Sequence, residues 1–224
     1  MSLHLQREIE DLKKRVLSLS ALAEESVQKA VSSLSSKDAV LANEVISEDS
    51  VIDRMEVEVE EECLKILALH QPVAADLRFI VAVLKINNDL ERIGDLSVNI
   101  AERALFLDTV ESVPAPFDFP GMARKAQSML SRALDSLIHL DAQTARQVCA
   151  DDDEVDEINR TMYRQVQEGI EQYPDLIDCY IHLLGVSRHL ERIADHATNI
   201  AEDVIYMIEG EIVRHRTEHY EPHR

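Results

Sequence analysis

At 224 residues and 25.4 kDa, the chain is long enough for one large core or two small ones. A hydrophobic share of 46% with only 4% aromatic residues, no Trp and 5 Gly describes long aliphatic helices and excludes an all-β fold. Asp and Glu number 43 against 23 Lys and Arg, and the resulting charge of −20 repels phosphate backbones and anionic headgroups, which argues against nucleic-acid and bare-membrane binding.

Prolines and two Asp-Ala pairs set the order of the elements. A first helix runs to a break before Asp38-Ala39, where Asp38 can cap a second helix that ends at Gln71-Pro72. A third follows, up to a Pro-rich segment with Pro114, Pro116 and Pro120 before Gly121. The second half repeats the plan, with breaks before Asp141-Ala142 and at Pro174. The predicted organisation is a first three-helix bundle over 1–112, a linker over 113–120, a second three-helix bundle over 121–211 and a tail over 212–224. The longest apolar run, Phe79 to Leu84, is far short of the ~18 residues a membrane span needs. Cys63, Cys149 and Cys179 form no Cys-x-x-Cys pair and fit a reducing cytoplasm.

The halves are duplicates. LERIGDLSVNIAE (90–102) and LERIADHATNIAE (190–202) agree at nine of thirteen positions, one hundred residues apart. Upstream, Asp38, Ala39, Ala42, Val45, Asp49 and Asp53 recur as Asp141, Ala142, Ala145, Val148, Asp152 and Asp156. In the third helix of each half, apolar residues alternate spacings of four and three: Phe79, Val83, Ile86, Leu90, Ile93, Ser97, Ile100, Ala104 and Leu107, then the same series from Cys179 to Met207. Such a seam specifies coiled-coil-like packing, so the expected fold is all-α: two tandem, pseudo-symmetric, antiparallel three-helix bundles.

Opposite the seam fall Glu91, Asp95, Asn99 and Glu102, with Glu191, Asp195, Asn199 and Glu202 as counterparts, all expected on the outward face. Acids on the surface of a soluble bundle are common, and their recurrence in both copies is what singles these out. Carboxylates four apart on a helix repel by a few tenths of a kcal/mol, and a bound cation reverses that penalty. Oxygen-only ligands suit hard ions, and a cluster becomes possible if a neighbouring helix adds acids. Asp49, Asp53, Asp152 and Asp156 are the expected donors, although acids near a helix start also favour its dipole. Arg92 and Arg192 sit inside the motifs and would compete with metal by forming ion pairs.

With Gln71-Pro-Val-Ala-Ala-Asp-Leu-Arg78 before the first copy and Glu209-Gly210-Glu211, then Arg214-His215, after the second, the sequence resembles the PhoU family of phosphate-uptake regulators over nearly its whole length. The resemblance implies a cytoplasmic protein, peripheral to the inner face of the membrane through protein partners and often a homodimer. It also implies a role in coupling the ATPase subunit of a phosphate ABC transporter to a sensor histidine kinase and restraining the phosphate-starvation response. It further implies metal ions, iron clusters in some members (with manganese, magnesium, zinc or calcium as alternatives), at the positions of Glu91, Asp95, Glu191 and Asp195. Gly94 against Ala194, and Asn99 and Asn199 where some relatives carry an acid, depart from the pattern. The second half also lacks the segment around Arg78.

His182, His189 and His196 recur every seven residues, but Ala82, Asp89 and Leu96 replace them in the first half, so duplication does not single them out. His215, His219 and His223 have partly chelating spacing, with Pro222 breaking the row. Neither row is assigned to the site. No nucleophile elbow, phosphate-binding glycine loop or His-Glu-x-x-His motif occurs, which argues against an enzyme. The alternatives are a di-iron-type oxidase or iron-binding helical protein, which normally needs inward Glu-x-x-His motifs that are absent here, and a metal-free helical scaffold.

Overall fold

The computed structural model describes residues 3–110 and 118–213. Six long helices run in the order α1 (Leu3–Ser36), α2 (Ala39–His70), α3 (Ala74–Asp108), α4 (Phe119–His139), α5 (Ala142–Gln172) and α6 (Ile177–Glu209), with no strand among the described residues. A 3₁₀ turn, Pro174–Leu176, precedes α6. The chain therefore folds as two three-helix bundles, α1–α3 and α4–α6, as the duplicated pattern predicts.

The duplication extends to the joints. Lys37 and Leu140 both adopt left-handed backbone, at φ 53° and 50°, before the caps. Asp38 Oδ1 accepts from the amides of Val40 and Leu41, each at 3.0 Å, and Asp141 Oδ1 accepts from those of Gln143 at 2.9 Å and Thr144 at 3.2 Å. Each cap satisfies two of the four free amides at its helix start. The α2–α3 joint ends α2 on left-handed Gln71 before Pro72, whereas the second copy, without Gln-Pro, enters α6 through the 3₁₀ turn. Pro120, expected in the linker, lies instead in the first turn of α4, where proline removes only an amide with no helical partner; Asp118 caps that helix. Pro114 and Pro116 lie outside the described residues, as do His215, His219 and His223.

Both seams are buried or packed on the core, from Phe79 to Leu107 and from Cys179 to Met207. Burial in α3 and α6 is wider than one seam, because each also packs on the other. Lys85 pairs with Asp203 at 3.0 Å, and the buried Asp89 carboxylate meets His196 Nδ1 at 2.7 Å and accepts from the Asn199 amide at 3.3 Å. Further along, Arg103 Nε donates to His189 Nε2 at 3.1 Å, and Phe106 stacks on His182 with ring centroids 3.7 Å apart. One hydrophobic core runs through both bundles.

A candidate metal centre in each bundle

In the first bundle, α2 and α3 close on each other at Gly94. A Cβ there would stand 3.2 Å from Asp49 Oδ1 and equally close to two atoms of Ile52. This approach brings Asp49 and Asp53 of α2 to Glu91 and Asp95 of α3. Burial, first, and then the charges of Asp53, Asp95 and Glu91 push the Asp49 carboxyl up to about 6. Burial likewise raises Glu91, reinforced by Asp95 and opposed by Arg92. Asp49 Oδ1 and Glu91 Oε2 are buried and accept no hydrogen bond, which leaves carboxylate oxygens of this group without a donor. Arg92 spans the two acids of α3: Nη1 donates to Asp95 Oδ2 at 3.1 Å, and Nε lies 3.3 Å from Glu91 Oε2 without hydrogen-bond alignment.

The second bundle repeats the group with Asp152 and Asp156 of α5 against Glu191 and Asp195 of α6. Asp195 of α6 is exposed, yet partial desolvation, then the charges of Glu191, Asp152 and Asp156, push it up to about 6. Burial also raises Asp152, although a hydrogen bond from Thr198 Oγ1 at 3.1 Å works the other way. Glu191 rises through burial and then through Asp156. Arg192 makes no ion pair corresponding to that of Arg92 among the described residues.

The eight acids thus lie four to a bundle where the second helix meets the third, with Asp53 and Asp195 exposed to solvent. A period of 3.6 turns the stripe of α3 and α6 partly toward the neighbouring helix. The other candidates separate from them. Asn99 turns its amide onto the Asp95 backbone carbonyl at 2.7 Å, and Glu102 is exposed. Asn199 reaches Asp89 on α3, and Glu202 lines a cleft between α3 and α6 with Asp89, Asn199 and Asp203. The histidine stripe unassigned from sequence faces α3.

Eight carboxylates suit a hard divalent ion, and the two donorless oxygens of the first group are what such an ion would satisfy. As the side chains stand, no three His, Cys, Asp or Glu among the described residues close into a metal cage. Metal binding here requires carboxylate rotamers to swing inward once a cation screens their repulsion.

The PhoU domain model matches twice, at residues 16–104 and 119–204. The chain belongs to the PhoU family. The two matches coincide with the duplicated halves. Among its relatives, it is 39% identical to a phosphate-specific transport system accessory protein PhoU homologue of Aquifex aeolicus, over 95% of this chain and 96% of that one. A homologue of the same description from Pseudomonas aeruginosa is 38% identical, over 96% and 89%. The fold superposes on the crystal structure of PhoU from P. aeruginosa with a TM-score of 0.90 at 37% identity, covering 92% of this chain and 99% of that one. For the phosphate transport system regulatory protein PhoU from Streptococcus pneumoniae, the TM-score is 0.81 at 30% identity, covering 93% and 99%. Among the described residues no helix is long and apolar enough to cross a membrane.

Proposed function

We infer that this protein is an accessory regulator of phosphate transport rather than an enzyme. It acts in the cytoplasm, associates with the ATPase subunit of a phosphate ABC transporter, and conveys the transporter's state to a sensor histidine kinase, as a homodimer. The observation that carries this reading is membership of both halves in a family whose relatives are named transport accessory proteins.

The finer part of the reading concerns metal. Asp49, Asp53, Glu91 and Asp95, and Asp152, Asp156, Glu191 and Asp195, hold hard metal ions, iron being the first expectation. The ions supply positive charge that draws α2 to α3 and α5 to α6. Support comes from the convergence of four acids in each copy, from the oxygens of Asp49 and Glu91 that accept no hydrogen bond, and from the raised carboxyls.

Two experiments test this. Deleting the gene should derepress phosphate-starvation genes in phosphate-rich medium, and the effect should vanish when the kinase is inactivated; repression that survives the deletion overturns the regulatory role. Elemental analysis of untagged protein should find metal in the wild type and lose it when Glu91, Asp95, Glu191 and Asp195 are replaced by Ala. Equal metal in both proteins overturns the site, and none in either leaves the acids as solvated or partner-facing charge.

A further inference from the structure

We propose that the end of the α3–α6 contact around Arg103 binds a small phosphate-type oxyanion, which the Arg103 guanidinium holds with Arg188 nearby and with support from His182 and His189. Neither the transport role nor the metal reading requires such a site.

The duplication relates the two ends of this contact, because the offset of one hundred residues maps each helix onto the other. The Lys85–Asp203 and Asp89–His196 pairs at one end correspond to Gly185–Arg103 and His189–Leu96 at the other. At the first end the ammonium and the imidazole each meet a carboxylate. At the second, both carboxylates are replaced: Arg103 stands for Asp203 and His189 for Asp89, while Arg188 stands for Asn88. One contact has thus diverged into an acidic end and a basic end, and only the acidic end supplies its own counter-ions.

Arg103 is half-buried and is held by neutral partners alone. Its Nε donates to His189 Nε2 at 3.1 Å, and its guanidinium lies along α6 at Gly185, where a Cβ would stand 2.5 Å from Nε and 2.8 Å from Cζ. Lys85 occupies the matching place in α3, so the helix itself does not demand glycine there; the guanidinium does. Although the chain has 43 acidic side chains, neither Arg103 nor Arg188 forms an ion pair among the described residues, which leaves the Nη donors of Arg103 for a ligand. Two more polar atoms adjoin it: Nδ1 of His182 and Nδ1 of His189 are buried without a hydrogen-bond partner. Because Nε2 of His189 accepts from Arg103, its Nδ1 carries the proton and is a donor lacking an acceptor. Positive charge is concentrated here as well, since Arg103, Arg192 and Arg188 all add to burial in keeping His189 neutral. Burial, then Arg103, also lowers His182, and Asp178 opposes them without pairing with either cation. In a chain of net charge −20, an anion is retained only where cations gather in this way. The planar guanidinium fork matches two oxygens of a phosphate-type ion.

The probe is inorganic phosphate, titrated by calorimetry into chelator-treated full-length protein in phosphate-free buffer. Wild type should bind one phosphate saturably. Gly185→Ala raises helix propensity and displaces a flexible side chain instead of backbone, so it keeps the fold while pushing the guanidinium off α6. Its affinity should fall by about tenfold, as should that of Arg103→Lys, which keeps the charge and loses the fork. Exposed Arg188→Gln should cost about threefold, and Lys85→Gln, which removes a charge from the acidic end of the same contact, should change nothing. Phenyl phosphate separates the two sources of such an oxyanion: its exclusion assigns the site to the free ion, and equal binding assigns it to a phosphoryl group carried by a larger molecule. No saturable uptake by the wild type, or affinity unmoved in both Gly185→Ala and Arg103→Lys, overturns the site and spares the regulatory and metal readings. Acetate that binds as tightly as phosphate overturns the choice of a tetrahedral ion. Saturating phosphate should also raise the wild-type melting temperature, and the rise should shrink in Gly185→Ala. An equal rise in both proteins is the general stabilising action of the salt and counts against the site.

Discussion

Single carboxylates record the tension in the two acid groups. Asp49 and Asp195 both titrate near 6, each chiefly through burial and then through neighbouring acids. Their folded values lie above those of the unfolded chain, so the stability they contribute is fully present below about pH 4 and is lost as pH rises through about 6. His189 runs the opposite way. Burial, then Arg103, lowers it to about 4, and because Arg103 donates to Nε2 the proton of the neutral ring resides on Nδ1. Its contribution is present above about 6.5 and is lost as pH falls toward 4. The wild-type pH profile mixes the two, and a difference between variants separates them. In EDTA at pH 7.5, Asp49→Asn should stabilise the protein by about 0.5–1 kcal/mol, a few degrees in melting temperature, since repulsion among partly solvated carboxylates is screened. At pH 4.5 the gain should disappear. A gain that persists unchanged at pH 4.5 would mean that Asn packs better there and that charge is irrelevant.

At the scale of the element, the α2–α3 contact depends on which volumes face each other. Gly94 stands against Ile52; in the second copy Ala194 occupies the place of Gly94 and Val155 that of Ile52. One methyl group is gained on the third helix and one lost on the second, which keeps the sum constant as close packing demands. Gly94→Ala alone gains about 1 kcal/mol of helix propensity but pushes a Cβ to 3.2 Å from Ile52, an overpacking cost of about 1–3 kcal/mol. Combined with Ile52→Val, it should be more stable than the sum of the single changes by about 1 kcal/mol, measured by denaturant titration. Additivity within about 0.3 kcal/mol would show that the exchange is coincidental. The polar pairs below obey the same logic. Asn87 donates to Glu56 at 3.0 Å in one copy, and Ser187 donates to Asn159 at 2.7 Å at the matching place in the other. Elements were the most legible level of the sequence: Asp38, Pro72, Asp141 and Pro174 mark real joints, and the apolar seams mark the buried faces. The acid groups were legible as spacing repeated on two helices, which named Asp49, Asp53, Asp152 and Asp156 as donors, whereas periodicity within α3 alone cannot say how closely α2 lies over Glu91 and Asp95. Asn199 and the histidine stripe were unreadable for a related reason: their partners, Asp89, Arg103 and Phe106, are on a helix some hundred residues away whose pairing with α6 is a property of the assembled molecule.

For the whole molecule, the question is whether two copies of one bundle also make two folding units. Their sequences would allow it, since each has its own seam and caps. The contact between α3 and α6 argues otherwise: it carries the Lys85–Asp203 and Asp89–His196 pairs, the Arg103–His189 bond and the Phe106–His182 stack over a core that continues through both bundles. Losing one bundle would remove the cross-bundle partner of Asp89 or of Asp203 in the half that remains and would expose to water the apolar flank that α3 and α6 bury between them. Exposed apolar surface costs free energy roughly in proportion to its area, so partial unfolding is penalised on the half that remains. Chains above about 150 residues often unfold through intermediates, which makes this a discriminating case. Heated in EDTA, the wild type should give one calorimetric transition with a ratio of calorimetric to van't Hoff enthalpy near one. Adding metal should move that single transition upward with ion concentration, because ions that bind only the folded state stabilise it by mass action. Two transitions, or a metal-induced shift confined to one of them, would show that the bundles melt separately and that the α3–α6 contact is a docking surface instead of a shared core.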